Sequence, residues 1–215
     1  MSYTLYGQQG FGSTCVEAAL ELHGIAYDFE EADPLDGAEG LARVKSVNPV
    51  GQVPALILPN DDVMTESAAI LIWLGDLDGQ YRFAPRPDAP ERAEYLRWLV
   101  FMSSSFYSTL TITDGPERFH PDPATHKTLL HHALERRKQM WRVIDTAFKG
   151  AAKPYLLGEK MTLLDVYVAM MTHWSPRGGW FLEHCTNLAG AVRATEKHPV
   201  IRDVWRRNFD LEVEA

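Results

Sequence analysis

The chain has 215 residues, 46% of them hydrophobic and 23% charged, with a net charge of −8. This composition is that of a globular protein of one or two domains, and the acidic balance lacks the basic face of a nucleic-acid binder. Two cysteines, Cys15 and Cys185, are too few for a secreted disulfide framework and read as reduced thiols; with no signal-like N-terminus and no apolar run approaching about eighteen residues, a cytoplasmic protein without a membrane span is expected.

Residues 3–7 are short, apolar and aromatic, and predict a strand with Tyr6 in the core. A glycine-containing loop follows at 8–12. Ser13 or Thr14 can cap a helix running to about His23, with Val16, Ala19, Leu20 and His23 on one face, and Gly24 stops it. Residues 26–31 alternate as a strand that Asp33-Pro34 breaks. A short helix is expected over 38–46, strands over 53–58 and 63–65 with a turn at Asp61-Asp62, and a helix over 66–77. The order βαβαββα implies a mixed four-stranded sheet with helices on both faces, its last two strands an antiparallel hairpin.

The pattern then changes. Residues 83–90 hold Pro85, Pro87 and Pro90 and read as a linker. Beyond them only helices are predicted: 91–113, 124–148, 162–174, 188–196 and 199–209, a helical bundle. Gly178-Gly179, after Pro176, reads as a turn. The expected division is 1–80, a linker at 81–90, and an all-helical 91–215. His131 and His132 sit mid-helix beside Glu135 and Arg136 and read as a solvated face, so no metal site is expected.

Two segments carry chemistry. In Asn48-Pro49-Val50-Gly51-Gln52-Val53-Pro54-Ala55-Leu56, Pro54 lies within a strand pattern although proline cannot donate to a ladder. It either opens the strand or forms a cis turn that exposes the Val53 N–H and C=O, to which an extended peptide can pair. In Glu66-Ser67-Ala68-Ala69-Ile70 a strand gives way to a helix, whose N-terminal N–H groups and the Ser67 hydroxyl suit a carboxylate. Glu66 beside it suits an ammonium. Together they match an amino-acid head group, or else Ser67 is a plain cap with an acidic neighbour.

These two segments resemble the "NPxGxVPAL" and "ESxAI" patterns of the glutathione S-transferase superfamily. A third, Gly158-Glu159-Lys160-Met161-Thr162-Leu163-Leu164-Asp165, resembles that family's buried folding motif, with Thr162 as N-cap, Asp165 completing a capping box and Met161 and Val166 as a hydrophobic staple. The likeness covers nearly the whole chain. It implies a thioredoxin-like N-terminal domain, a helical C-terminal domain, and a homodimeric detoxification enzyme joining glutathione to a hydrophobic electrophile. It also implies that Val53 pairs with the cysteinyl backbone of glutathione, that Pro54 is cis, that Glu66 and Ser67 hold the γ-glutamyl end, and that Gln52 reaches toward the glycyl carboxylate.

The reaction needs a thiolate, and a free thiol with a pKa of ~8.5 is only slightly ionised at neutral pH. The stabilising group belongs after the first strand, at the start of the first helix, where the family carries Tyr, Ser or Cys. Here Ser13 is the first choice, Thr14 the second and Cys15 the third; aligned on Gly24, the nucleophile position of cysteine-type members falls on Gly12. A serine- or cysteine-like bacterial type therefore fits better than a tyrosine type. Phe106, Tyr107, Leu110 and Trp174, with Ser103, are candidates for the second substrate, expected between Ser13 and the first long helix of the helical domain; core packing is their alternative role. Two rivals remain: a glutathione-dependent disulfide reductase or peroxidase using Cys15, and a non-enzymatic binding or regulatory module of the same fold.

Overall fold

The computed structural model describes residues 2–77, 79–149 and 154–209. They form two compact units, one built from the chain up to Ala89 together with the segment from Thr195, the other from Pro90–Ala194.

In the first unit β1 (Tyr3–Gly7), α1 (Ser13–His23), β2 (Tyr27–Glu31), α2 (Gly37–Lys45), β3 (Ala55–Ile57), β4 (Val63–Thr65) and α3 (Ser67–Asp76) follow one another. The sheet order is β2-β1-β3-β4, with β1 parallel to β2 and the other two pairs antiparallel. This is the mixed thioredoxin-like sheet that the alternation of strand and helix implies. Gly24 takes φ 68° at the end of α1, where its N–H bonds back to Glu21 O and Leu20 O, a left-handed cap that a Cβ would disfavour. α1 also packs against α10 (Pro199–Phe209), so the last helix belongs to this unit rather than to the helical one. Covered by β1, α3 and α10, α1 is buried on nearly every side, Thr14 and Glu17 included. Tyr6, expected in the core, is only half-buried: the strand turns Leu5 and Gly7 inward, and its period of two puts Tyr6 on the other face.

The second unit contains α4 (Arg92–Phe101), a π-helical turn (Met102–Phe106), α5 (Tyr107–Asp114), a 3₁₀ turn (Pro116–Arg118), α6 (Pro123–Ala147), α7 (Leu163–Met171), α8 (Gly178–His184) and all but the last two residues of α9 (Thr186–Glu196). The single helix expected over 91–113 is thus interrupted. The hydroxyls of Ser103 and Ser104 both donate to Val100 O (3.2 and 2.8 Å), a competition with backbone donors that loosens the helix there. The turn expected at Gly178-Gly179 is instead the start of α8. Phe181, fully packed against Trp141 with ring centroids 4.9 Å apart, secures that short helix against its poor glycine start.

Trp98, Phe106 and Trp141 fill the middle of this unit, Phe106 lying 4.6 Å from Trp141. On α6 the inward stripe runs through Ala133, Arg137, Met140, Trp141 and Ile144, so a guanidinium occupies a core position. It is satisfied by Thr109 Oγ1 (2.9 Å), Thr109 O (2.7 Å), Thr113 Oγ1 (2.9 Å) and Ser175 O (2.6 Å), which ties the end of α5 to the segment after α7. The Thr162–Asp165 capping motif forms as expected. The Asp165 carboxylate accepts from the N–H groups of Leu156 (2.7 Å) and Thr162 (2.8 Å) and from the Thr162 hydroxyl (2.8 Å). Among the described residues no helix is long and apolar enough to cross a membrane.

Candidate functional site

The register of the sheet gathers the sequence motifs at one end of it. Tyr6 pairs with Ala55, and Ala55 pairs with Thr65. The loop leaving β1, the Val53-Pro54 step arriving at β3 and the Glu66-Ser67 step leaving β4 therefore emerge side by side. β2 ends at the same level, since Gly7 pairs with Glu31.

Asn48 shapes the approach to β3. Its side chain donates to Gln52 O (2.7 Å) and accepts from the Val50 N–H (3.2 Å), while its carbonyl accepts from the Gly51 N–H (2.8 Å). Gly51 sits at φ 75°, a left-handed conformation that favours glycine, and a Cβ there would also push on the tip of Leu41. The turn delivers a cis Val53–Pro54 bond. β3 begins at Ala55, two residues later than expected, because Pro54 has no N–H for the ladder and Val53 lies outside the pairing. Among the described residues Val53 makes no backbone hydrogen bond to another part of the chain. Gln52 is exposed.

Glu66 is the residue before α3 and holds φ 65°, ψ 102°. A glutamate at positive φ costs on the order of 1 kcal/mol and tends to mark functional segments. Its side chain is exposed, and Ser67 is 8% exposed at the first position of α3. The sequence marked both residues but carried no sign of the backbone conformation.

The three candidates for the sulfur contact all face inward: Ser13 is 1% exposed, Thr14 and Cys15 not at all. Ser13 Oγ donates to Gln8 O (3.0 Å) and accepts from the Gln8 N–H (3.1 Å), stapling the loop to the start of α1. Gly7 admits this closeness, since a Cβ there would lie 2.4 Å from Ser13 Cβ. The Thr14 hydroxyl donates to Asn208 Oδ1 (2.9 Å), and the Cys15 thiol to Gly12 O (3.1 Å). Burial pushes the Cys15 thiol far above the ordinary range, against weak lowering by backbone amides. Gln8 Oε1 is buried and has no hydrogen-bond partner among the described residues.

Beside this loop a cleft of about 600 Å³ is lined by Gln8, Glu31, Asp33, Asp36, Glu39 and Arg43, among others. Its one guanidinium is bonded to Glu30 at 2.6 Å, which leaves the cleft acidic. In the helical unit Phe106 and Leu110 are core residues, 0% and 5% exposed. Tyr107 and Trp174 are half-buried and meet edge to face at 5.5 Å. Among the described residues no group of three or more His, Cys, Asp or Glu side chains is placed to hold a metal ion.

Sequence reasoning missed Asn48 as the organiser of the turn, although an Asn-Pro step before a glycine is a legible turn signal. It also missed Asn208 and Arg207, which meet α1 across nearly the whole chain and leave no local trace.

A family model for the glutathione S-transferase N-terminal domain matches residues 13–77. The chain is 36% identical over 206 residues to the uncharacterized GST-like protein YncG of Escherichia coli (strain K12), a match spanning 95% of this chain and 97% of that one. It is 25% identical over 159 residues to glutathione S-transferase GstA of Escherichia coli O157:H7, 74% of each chain. A glutathione transferase homologue from Sulfitobacter, solved with bound glutathione, shares the fold with a TM-score of 0.83 at 19% identity, over 97% of this chain and 99% of that one. The glutathione S-transferase of Xylella fastidiosa gives 0.79 at 22% identity, over 95% and 97%. The thioredoxin-like sheet, the N-terminal-domain model over residues 13–77 and 36% identity held along nearly the whole length of a GST-like relative lead to one conclusion: the chain belongs to the glutathione S-transferase superfamily.

Proposed function

We propose that this protein is a glutathione transferase that holds glutathione at this end of the sheet, stabilises its thiolate and joins it to a hydrophobic electrophile. The observation that carries the reading is the backbone of Val53, left outside the ladder beside the strained Glu66 and the start of α3. An extended tripeptide pairs with Val53 as an added strand. Its γ-glutamyl carboxylate then meets Ser67 and the α3 N-terminus, and its ammonium meets Glu66. Gln52 is the residue nearest in sequence to offer an amide toward the glycyl end.

The sulfur faces the loop at 8–12 and the first turn of α1. N–H groups and the positive end of the helix dipole favour the anion there, and the thiol proton leaves to solvent. The thiolate attacks an electrophilic carbon and displaces its leaving group, and the protein contributes position and electrostatics without a covalent intermediate. Ser13 remains the pivotal side chain in this reading. Its hydroxyl proton is already given to Gln8 O, so it acts by shaping the loop, or swings to the sulfur once glutathione is bound. Tyr107 and Trp174 are the side chains we assign to the hydrophobic co-substrate, since Phe106 and Leu110 are consumed by the core. Family membership supports a homodimer in the cytoplasm.

Calorimetric titration with glutathione and conjugation of a model aryl halide test the proposal. Wild type binds and conjugates; Ser67→Ala weakens binding roughly 10- to 100-fold, as loss of a charge-assisted hydrogen bond predicts. Absence of glutathione binding sinks the transferase and leaves the binding module. A loss of disulfide-reductase activity in Cys15→Ala with conjugation intact would favour the redox rival.

A further inference from the structure

The last helix reaches the loop that our proposed function gives to the sulfur. α1 is enclosed, so its polar residues need partners, and α10 supplies them. The carboxylate of Glu17, 7% exposed, accepts from Arg207 Nε (3.2 Å) and Nη2 (2.8 Å) and from Asn208 Nδ2 (2.8 Å). Arg207 also pairs with Glu21, which accepts from the Tyr27 hydroxyl at 3.2 Å. These contacts dock the helix. Asn208 goes further: its Oδ1 accepts both the Thr14 hydroxyl (2.9 Å) and the backbone N–H of Gly10 (3.1 Å).

Gly10 lies in the middle of the loop at φ 73°, and a Cβ there would stand 3.1 Å from Asn208 O. The loop is therefore held at both ends, by Ser13 on Gln8 and by Asn208 on Gly10 and Thr14. We propose that Asn208 is a positioning residue for thiolate formation: by fixing Gly10 and Thr14 to the end of α10, it holds the loop and the start of α1 in place, so that the positive end of that helix faces the glutathione sulfur. The inference rests on the transferase reading for the identity of the ligand, and on the Gly10–Asn208–Thr14 contacts for the clamp itself. Arg207 is the natural control, because it docks the same helix without touching the loop.

The thiol pKa of bound glutathione, followed by ultraviolet thiolate absorbance against pH, reads the position of that helix end. Asn208→Ala removes the acceptor of this contact, and Gly10→Ala keeps the N–H but displaces it, because the residue sits at φ 73° with its Cβ 3.1 Å from Asn208 O. Each should raise that pKa by about one unit, a tenfold loss in ionisation constant, and lower kcat near neutral pH about tenfold, with the glutathione KM within about twofold of wild type. Arg207→Met should lower the melting temperature at least as much as Asn208→Ala and leave the thiol pKa unchanged. Amide exchange at Gly10, measured without ligand, should accelerate at least tenfold in Asn208→Ala and stay near wild type in Arg207→Met. A wild-type thiol pKa in Asn208→Ala, or equal acceleration of Gly10 exchange in both variants, overturns the inference. Failure of the wild-type protein to bind glutathione ends the transferase reading and with it the sulfur role of Asn208, whereas Gly10 exchange decides the clamp in either case.

Discussion

Asp165 allows a quantitative test of how the helical unit is held. Burial raises its carboxyl from 3.8 to about 6, even though two backbone N–H groups and the Thr162 hydroxyl favour the ionised form. In the unfolded chain the group ionises near 3.8. Between those values the folded state keeps a proton that the unfolded state releases, so this contribution is complete below pH ~4 and is lost as pH rises through ~6. A shift of about two units corresponds to roughly 2–3 kcal/mol at 1.36 kcal/mol per unit. Asp165→Asn cannot titrate there, and every other ionisable group is shared by the two proteins. The stability difference between wild type and Asp165→Asn should therefore shift by roughly 2–3 kcal/mol in favour of the variant between pH 4 and pH 7.5. In melting temperature that is roughly 4–12 °C for a chain of this size. Urea denaturation of both proteins at half-unit pH steps measures it. A difference that stays constant across that range would show that the hydrogen bonds, and not burial, govern the carboxyl.

Other perturbations follow from the same geometry. Glu66→Gly relieves the positive φ but frees the unfolded chain, two effects of similar size, so it should change the stability of the ligand-free protein by less than about 1 kcal/mol while weakening glutathione binding at least tenfold by calorimetry. Arg137→Met removes the donors that satisfy Thr109 and Thr113 within the helical unit and should cost roughly 2–4 kcal/mol in urea denaturation. Cys15, fully buried with its thiol pushed up, should resist iodoacetamide at pH 7.5 under native conditions and react within minutes in denaturant, as peptide mass spectrometry would show.

The fold was legible where one strong local signal met no competing tertiary demand. The first strand, the left-handed Gly24 stop, the 63–65 strand and the Thr162–Asp165 box all lie where pattern and turn chemistry put them. Misreadings came where packing overrode propensity. Two adjacent glycines argue for a turn at 178–179, yet Phe181 packing on Trp141 outweighs them. A continuous apolar stripe argues for one helix over 91–113, yet serine hydroxyls compete for Val100 O within it. Arg137 belongs to the inner stripe of α6, and charge alone assigns such a residue to solvent; only the acceptors on Thr109, Thr113 and Ser175 make its position intelligible.

The two halves of the candidate site differ in legibility for a physical reason. The half proposed to bind the peptide is made of backbone, and backbone geometry is written in residues with few alternatives: a proline that cannot donate, a glycine at φ 75°, an asparagine that folds onto its own turn. Such residues announce the shape they impose. The sulfur half depends on the direction of a hydroxyl or thiol, and residue type does not specify direction. Ser13, Thr14 and Cys15 are all capable donors, and each has given its hydrogen to the protein: to Gln8, to Asn208 and to Gly12. Thr14 is turned toward a helix that begins at Pro199, whereas Ser13 and Cys15 bond within the loop, so part of the arrangement of the first turn is decided near the far end of the chain. On the proposed reading, the residues that set the surroundings of the sulfur are therefore split between the loop, the first helix and Asn208 near the other end of the sequence.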